Sequence, residues 1–312
     1  MRSIKHCETD NLDQFIPEDN ALKNGIQRNT EKMRKKLPPV LTSEQAKSIL
    51  TGKTHVSLDL GLSKTVIKQL NDGYLLGKYD YIDTKNLEKI AENKGNVYFV
   101  DKKSVFMVAT SGKHFYKLTP TRRAPTIEID GIRMHRTKNT TPDKDAEDKL
   151  RVLKLHGGNV LDTCTGLGYT AIHAIRNGAS RVVTIEYVPS VLRLAQINPW
   201  SLELFTSHRI LKMLGDSFTV VDALPDDLFD YIIHDPPRHS SAGHLYGQEF
   251  YHKLTRVLKP GGRMFHYTGE PGSRYRKVSI RKGVKRRLLL AGFQGVEYHP
   301  SVMGVTCNLR TV

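Results

Sequence analysis

The sequence is poor in cysteine: Cys7, Cys164 and Cys307 lie far apart and are odd in number among 312 residues. Neither a disulfide framework nor a CxxC metal site is therefore expected, and reduced, buried thiols are the default. No apolar run approaches the roughly 18 residues that would span a bilayer, and the first twenty residues are polar rather than a charged start leading into an apolar stretch. A cytoplasmic protein without a membrane partner is expected. Tryptophan occurs once, at Trp200, and the chain carries no internal repeat and no low-complexity tract. No His, Cys, Asp or Glu spacing argues for a metal, and nothing indicates an oligomeric state. Acids are outnumbered, 32 Asp+Glu against 48 Lys+Arg, for a formal charge of +16. That excess suits a polyanionic partner, although composition alone does not separate nucleic acid from solubility.

What is present divides into three parts. Residues 1–40 are polar, lack sustained periodicity and end in "EKMRKKLPPV", so a loosely attached arm is expected. From 41 to 140, short β-type runs ("HVSLDLGL", "NVYFV", "SVFMVAT", "TIEIDGIRMH") alternate with Gly, Asn and Asp turns. One helix, capped at Asp83 or Thr84, interrupts them, which makes a small β-rich domain. Pro142 and the acidic "DKDAEDK" then open a helix. From 141 to 312, apolar strands ("GNVLDT", "RVVTIE", "HRILKML", "FDYIIH", "GRMFHYT") alternate with helical stretches. This rhythm predicts an α/β domain with a mostly parallel sheet covered on both faces, closed by a hairpin in "AGFQGVEYHPSVMGVTCNLR".

The turn "LDTCTGLGYTAI" sets Asp162, Thr163, Gly166 and Gly168 between a strand and a helix. Glycines there admit close backbone approach by a ligand, and the helix start offers unpaired N–H groups. Such turns also occur as plain structure. The next strand, however, ends in Glu186, 24 residues after Asp162, where an acid can take ribose hydroxyls. The third strand is followed by Asp216, which can meet an adenine amino group. An acid inside the glycine turn would repel phosphate but suits a cationic amino-acid moiety.

This constellation resembles the class I S-adenosylmethionine-dependent methyltransferases. "VLKPGGRMFHYTG" looks like their fifth-strand segment, with "LKPGG" preceding the strand, and the final hairpin is similar to their strands six and seven. The resemblance implies a Rossmann-like domain with a seven-stranded sheet and S-adenosylmethionine as cofactor. Asp162, Gly166 and Gly168 would hold its methionine end, Glu186 the ribose and Asp216 the adenine. Aminopropyltransferases using the decarboxylated cofactor share much of this layout.

The fourth strand ends in "HDPPR". An exocyclic amine on a nucleobase is a poor nucleophile, and two acceptors on its hydrogens help. Asp235 supplies one and the Pro236 carbonyl another, with Pro236 and Pro237 setting the shape of the tip. Holding that nitrogen in line with a sulfonium methyl is mostly positional catalysis. Amino-methyltransferases of nucleic acids, and of glutamine, carry an aromatic in the fourth place, where Arg238 stands here; a guanidinium can also stack on a base or grip phosphate. Tyr246, Phe265 and Tyr267 are alternative rings. His234 and His239 flank the tip, and a neutral, hydrogen-bonded histidine is the more usual state.

The runs "HFYKLTPTRRAPTIEIDGIRMHRT", "NPWS", "IIHDPPRHS" and "FHYTGEPG" further resemble a mainly archaeal class I family whose usual tip is "HDPPRFS". That resemblance implies methylation of cytidine N4, once or twice, in small-subunit ribosomal RNA, favoured over transfer RNA. In this sequence His239 replaces the phenylalanine. Under this reading RNA is met by Arg133 and Arg136, with Lys117, Arg122, Arg123, His135 and Lys138 nearby, and by the acid-free run of Arg274, Arg276, Lys277 and Arg281. A solvated helix face is the plain alternative for that run. A transfer-RNA amino-methyltransferase, a polyamine aminopropyltransferase, a protein-glutamine methyltransferase and a non-catalytic RNA-binding module remain competing readings.

Overall fold

The computed structural model describes residues 5–6, 37–237, 242–269 and 280–311. Most of the expected arm, as well as Arg238, His239, Arg274, Arg276 and Lys277, lies outside the described residues. The chain forms two compact units, one of residues 1–142 with 190–207 and one of 143–189 with 208–312. Among the described residues no helix is long and apolar enough to cross a membrane.

The first unit is built from small, mostly antiparallel sheets, with one parallel pair where Lys5–His6 meets Phe106 and Met107. Helix Ser43–Leu50 opens with a capping box in which Thr42 and Gln45 satisfy each other's backbone N–H groups. Helix Thr84–Glu92 starts at Asp83, whose carboxylate accepts from the Asn86 amide at 2.7 Å. The strands Thr65–Gln69, Gly73–Leu76 and Asp80–Asp83 pair in sequence order. The expected strand in "HVSLDLGL" shrinks to His55–Val56, because Leu58 and Leu60 are buried from bends instead. Fully buried Leu41, Leu76, Leu87, Ile90 and Val100 are part of the core of this unit.

The second unit holds strands β1 (Asn159–Asp162), β2 (Arg181–Glu186), β3 (Ile210–Leu214), β4 (Phe229–His234), β5 (Leu258–Tyr267), β6 (Phe293–His299) and β7 (Gly304–Leu309). They form one sheet in the order β3-β2-β1-β4-β5-β7-β6, parallel except where β7 pairs antiparallel with β5 and β6. This is the expected α/β architecture. Its central strands are buried on both faces, which is why Val160, Leu161, Ile232 and Ile233 are contiguous apolar residues with no exposure. Strand order reverses between β1 and β4, and at such a switch point the two following connections leave to opposite sides and open a crevice at the strand ends.

Helices that flank these strands in sequence include, among the described residues, α1 (Pro142–Leu153), α2 (Tyr169–Arg176), α3 (Gln248–Val257) and α4 (Ile280–Leu290). Proline at the first position and Asp143 and Asp145 in the first turn suit the start of α1. The segment "KPGG" differs from expectation. It lies inside β5 as a bulge, since pairing with β4 jumps from Phe229–Leu258 to Tyr231–Arg263. A left-handed Gly261 (φ 76°) permits that jump.

Gly304 shows how tightly β5 and β7 meet. A Cβ there would lie 2.4 Å from the Phe265 ring and 2.8 Å from the His266 carbonyl. Gly304→Ala is therefore expected to lower stability by about 1–3 kcal/mol through overpacking, read as a reduced denaturant midpoint at unchanged slope.

Candidate active site

Every expected cofactor contact falls at the C-terminal ends of β1, β2 and β3. Asp162 ends β1 with no exposure, and its Oδ2 accepts from the Thr170 hydroxyl at 3.0 Å and the Thr184 hydroxyl at 2.9 Å. The Cys164 amide also favours its charged form, yet no donor reaches hydrogen-bond geometry at its buried Oδ1. Burial pushes its pKa up to about 7, helped by the neighbouring Asp235 charge and opposed by the two threonines. A buried carboxylate with one orphaned oxygen fits a ligand ammonium. Gly166 and Gly168 take left-handed conformations (φ 54° and 78°), and Gly168 caps α2 without a side chain. Thr163 is buried, with its amide donating to the Ile233 carbonyl at 3.0 Å.

Glu186 ends β2 and ties the turn together, because its two oxygens accept from the amides of Gly166 and Val188, each at 2.9 Å. Burial raises its pKa, against the pull of those amides. The Tyr187 amide also favours its charged form, and a carboxylate's roughly four acceptor positions leave room for a ligand hydroxyl. Asp216 follows β3 and caps the next turn, accepting from the Phe218 amide at 3.0 Å, with His244 Nε2 at 3.4 Å. It is the most exposed of these acids, and beside it Tyr187 and Leu214 are open to solvent at 71% and 58%.

At the end of β4, His234 is buried and bonded at both ring nitrogens. Its Nε2–H donates to the Leu245 carbonyl at 2.9 Å, so Nδ1 accepts from the Thr163 hydroxyl at 2.7 Å. Burial brings its pKa down to about 3. The ring is a neutral fixture at working pH. Pro236 is buried and Pro237 is exposed. The Tyr246 hydroxyl donates to the Pro237 carbonyl at 3.0 Å, and Arg287 of α4 donates to the Tyr246 carbonyl at 2.8 Å. Of the three alternative rings, Phe265 is core and Tyr246 is 2% exposed, which leaves Tyr267, half-buried, as the accessible one.

Lys149 on α1 went unnoticed in the sequence. Its side chain is 7% exposed, and its ammonium lies 2.5 Å from Asp235 Oδ2 and 2.7 Å from Asp145 Oδ2. Burial alone would favour the neutral amine, but the two carboxylates outweigh it and hold the lysine protonated. Thr170 and Thr184 also escaped notice, since a threonine that holds an aspartate has no sequence signature.

The basic residues expected to meet RNA are placed less uniformly. Arg133 is exposed, with Nε 3.9 Å from Glu128, which also pairs with Lys117 at 3.2 Å. Arg136 is half-buried, and Lys138, Arg122 and Arg123 are exposed. The Arg123 guanidinium sits 5.5 Å from the Trp200 ring centroid, and that indole donates to the Leu60 carbonyl at 3.0 Å. On α4, Arg281 is half-buried over the Tyr298 ring at 4.3 Å, while Lys282, Lys285 and Arg286 are exposed.

No protein-family model matches the chain. It is 47% identical over 272 residues to Uncharacterized protein MJ1233 of Methanocaldococcus jannaschii, covering 85% of this chain and 93% of that one. The chain belongs to the MJ1233 family. It is also 33% identical over 156 residues to Polyamine aminopropyltransferase 2 of Streptomyces coelicolor, a match spanning 47% of this chain and 26% of that protein. Among solved structures, spermidine synthase in complex with the transition state analogue AdoDATO superposes with a TM-score of 0.54 at 20% identity, over 64% of this chain and 72% of that one. The fold of this MJ1233-family chain is thus the Rossmann-like one.

The state of Asp162 has a thermodynamic consequence. Its folded pKa of about 7 lies above its ordinary 3.8, so between these values the folded protein binds the extra proton and stability falls as pH rises. In the ligand-free protein, the stability difference between wild type and Asp162→Asn is expected to change by about 1.4 kcal/mol per pH unit across this window and to level off above it. Denaturant unfolding of both proteins from pH 4 to 8 measures it; a pH-independent difference would contradict a raised Asp162.

Proposed function

We propose that this chain is an S-adenosylmethionine-dependent methyltransferase acting on an exocyclic amino group of RNA, cytidine N4 in small-subunit ribosomal RNA being the substrate class. The observation that carries the reading is Asp235 with its two prolines at the end of β4, beside the buried carboxylate that ends β1. When bound, the cofactor supplies an electrophilic methyl on a sulfonium. Asp162 Oδ1 would take its ammonium, the Gly166–Gly168 turn its carboxylate end, Glu186 its ribose and Asp216 its adenine amino group.

Catalysis then falls to positioning. Asp235 and the Pro236 carbonyl accept the two hydrogens of the target amine, which turns the nitrogen lone pair toward the methyl group. His234 is unsuited to act as base, because both ring nitrogens are engaged and its pKa is about 3. The proton leaves late, to solvent, and Asp235 stays ionised. Tyr267 is the ring best exposed for stacking on the base.

A second reading, aminopropyl transfer to a polyamine, draws on the likeness to Polyamine aminopropyltransferase 2. The four strand-end carboxylates, with Asp145 of α1 beside them, would favour it. Against it stands Lys149, whose ammonium beside Asp235 would repel a polycation. The overall charge of +16 also favours a polyanionic partner.

Incubation with ribosomal RNA, transfer RNA and spermidine in the presence of labelled cofactor distinguishes the readings. Mass spectrometry of nucleosides is expected to find label in N4-methylated cytidine; label confined to polyamine or protein would overturn the RNA assignment. Asp235→Ala is expected to reduce turnover by about 10²-fold or more, the scale of losing a preorganised polar group, while cofactor affinity is retained. Binding of RNA should weaken steeply between 50 and 200 mM salt, by about 10³-fold or more if six or more phosphates are met. Cofactor affinity should rise with pH up to about 7, since an ammonium ligand needs Asp162 ionised.

A further inference from the structure

We propose that Lys149 is a positioning and specificity-determining residue: it holds Asp235 as an oriented carboxylate and excludes acceptors that arrive as cations. The inference rests on the methyltransferase reading above for its consequence, but not for its geometry. On α1, Asp145 and Lys149 are one turn apart, so both project from the same helix face. Their side chains are 4% and 7% exposed, and Asp235, reached across 86 residues of sequence, is 21% exposed. The ammonium bridges the two carboxylates, at 2.7 Å from Asp145 and 2.5 Å from Asp235, and lies 5.0 Å from the Tyr267 ring centroid.

Such a triad is a poor choice if packing were the whole purpose. Desolvating one ammonium and two carboxylates costs several kcal/mol per ion, and apolar residues of similar volume often replace buried ion pairs without loss. The arrangement does suit a carboxylate that must stay charged while partly buried. Among the described residues, Lys149 and Asp145 from α1, Asp162 and Cys164 at the end of β1 and Tyr246 after the tip lie around Asp235, and Tyr267 from β5 lies beside the Lys149 ammonium. Of these six groups one is cationic. Removing it takes away the cation 2.5 Å from Asp235 while the acids Asp145 and Asp162 stay, a change that favours the protonated form.

The second carboxylate has its own part. Sharing the ammonium with Asp145 keeps Lys149 protonated and prevents Asp235 from being fully neutralised by its partner. A carboxylate offers about four acceptor positions, more than one ammonium engages, so the pair with Lys149 is compatible with an incoming N–H. A nucleobase amine, being neutral, tolerates the nearby ammonium. A protonated polyamine does not.

The test reads Asp235 directly. In protein labelled with ¹³C at aspartate carboxyls, the Asp235 resonance is identified by its loss in Asp235→Asn, and its titration is followed by NMR. Lys149→Met is expected to raise the midpoint by about one to three pH units, and Asp145→Asn, which concentrates the lysine charge on Asp235, to lower it. The acid limb of the methyl-transfer profile should move in the same two directions, with cofactor affinity retained as the check on folding. Should Lys149→Met fail to fold, the downward shift in Asp145→Asn still decides. An unmoved midpoint, or movement in the same direction in both variants, would overturn the proposal and reduce the triad to packing. Because the resonance needs no acceptor, a wild-type enzyme that methylates no RNA would refute the functional reading while leaving the Asp235 shifts as they are.

Discussion

Desolvated negative charge at the carboxyl end of a parallel sheet is the constraint on which the second unit depends. Parallel strands deliver Asp162, Glu186, Asp216 and Asp235 to the same edge, and the strand reversal between β1 and β4 opens a crevice there. Each acid is stabilised by a different device. Asp162 has two threonine hydroxyls and a raised pKa, Glu186 two amides, Asp216 a helix cap, and Asp235 a buried lysine. Charges so close cannot all be left bare. The local differences are physical: burial raises the pKa of Asp162 and Glu186, while Asp235 lies 2.5 Å from a buried ammonium.

Around this edge the remaining polar groups are neutral and rigid. His234 and His266 lie 4.3 Å apart between ring centroids, His266 meets the Tyr251 hydroxyl at 2.8 Å, and burial keeps both imidazoles uncharged. Tyr246 links the tip to α4 through the Pro237 carbonyl and Arg287. The tip is therefore braced from two sides, by Lys149 at the aspartate and by Tyr246 after the second proline. The side chains of Lys282, Lys285 and Arg286 on α4 are exposed and carry the opposite sign to the strand-end acids of the same unit.

Legibility varied with burial. The central strands β1 and β4 could be read directly because burial on both faces makes them continuous apolar runs, and each of the four strand-end acids could be read from its place after a strand. Strands of the first unit were harder: Thr65–Gln69 alternates exposed and buried residues in a polar context, and Leu58 and Leu60 imitate a strand while packing from bends. "KPGG" resembled a lead-in to β5, whereas its glycines form a bulge within it. Phe265 passed for a candidate stacking ring because an aromatic near a site looks alike whether it faces the ligand or the core; its zero exposure settles which.

Lys149 marks the boundary between the two kinds of information. Within "DKDAEDKL" it reads as an ordinary surface partner of Asp145, and nothing local distinguishes it from Lys144, which does pair with Glu147 and Asp148 in the open. The sequence by itself determined the order of strands, the glycine turn and the acids that end each strand, since these follow from local periodicity and adjacency. Which base meets which acid was decided only by the tertiary structure, because charges pair by distance in space, and 86 residues separate Lys149 from Asp235 along the chain.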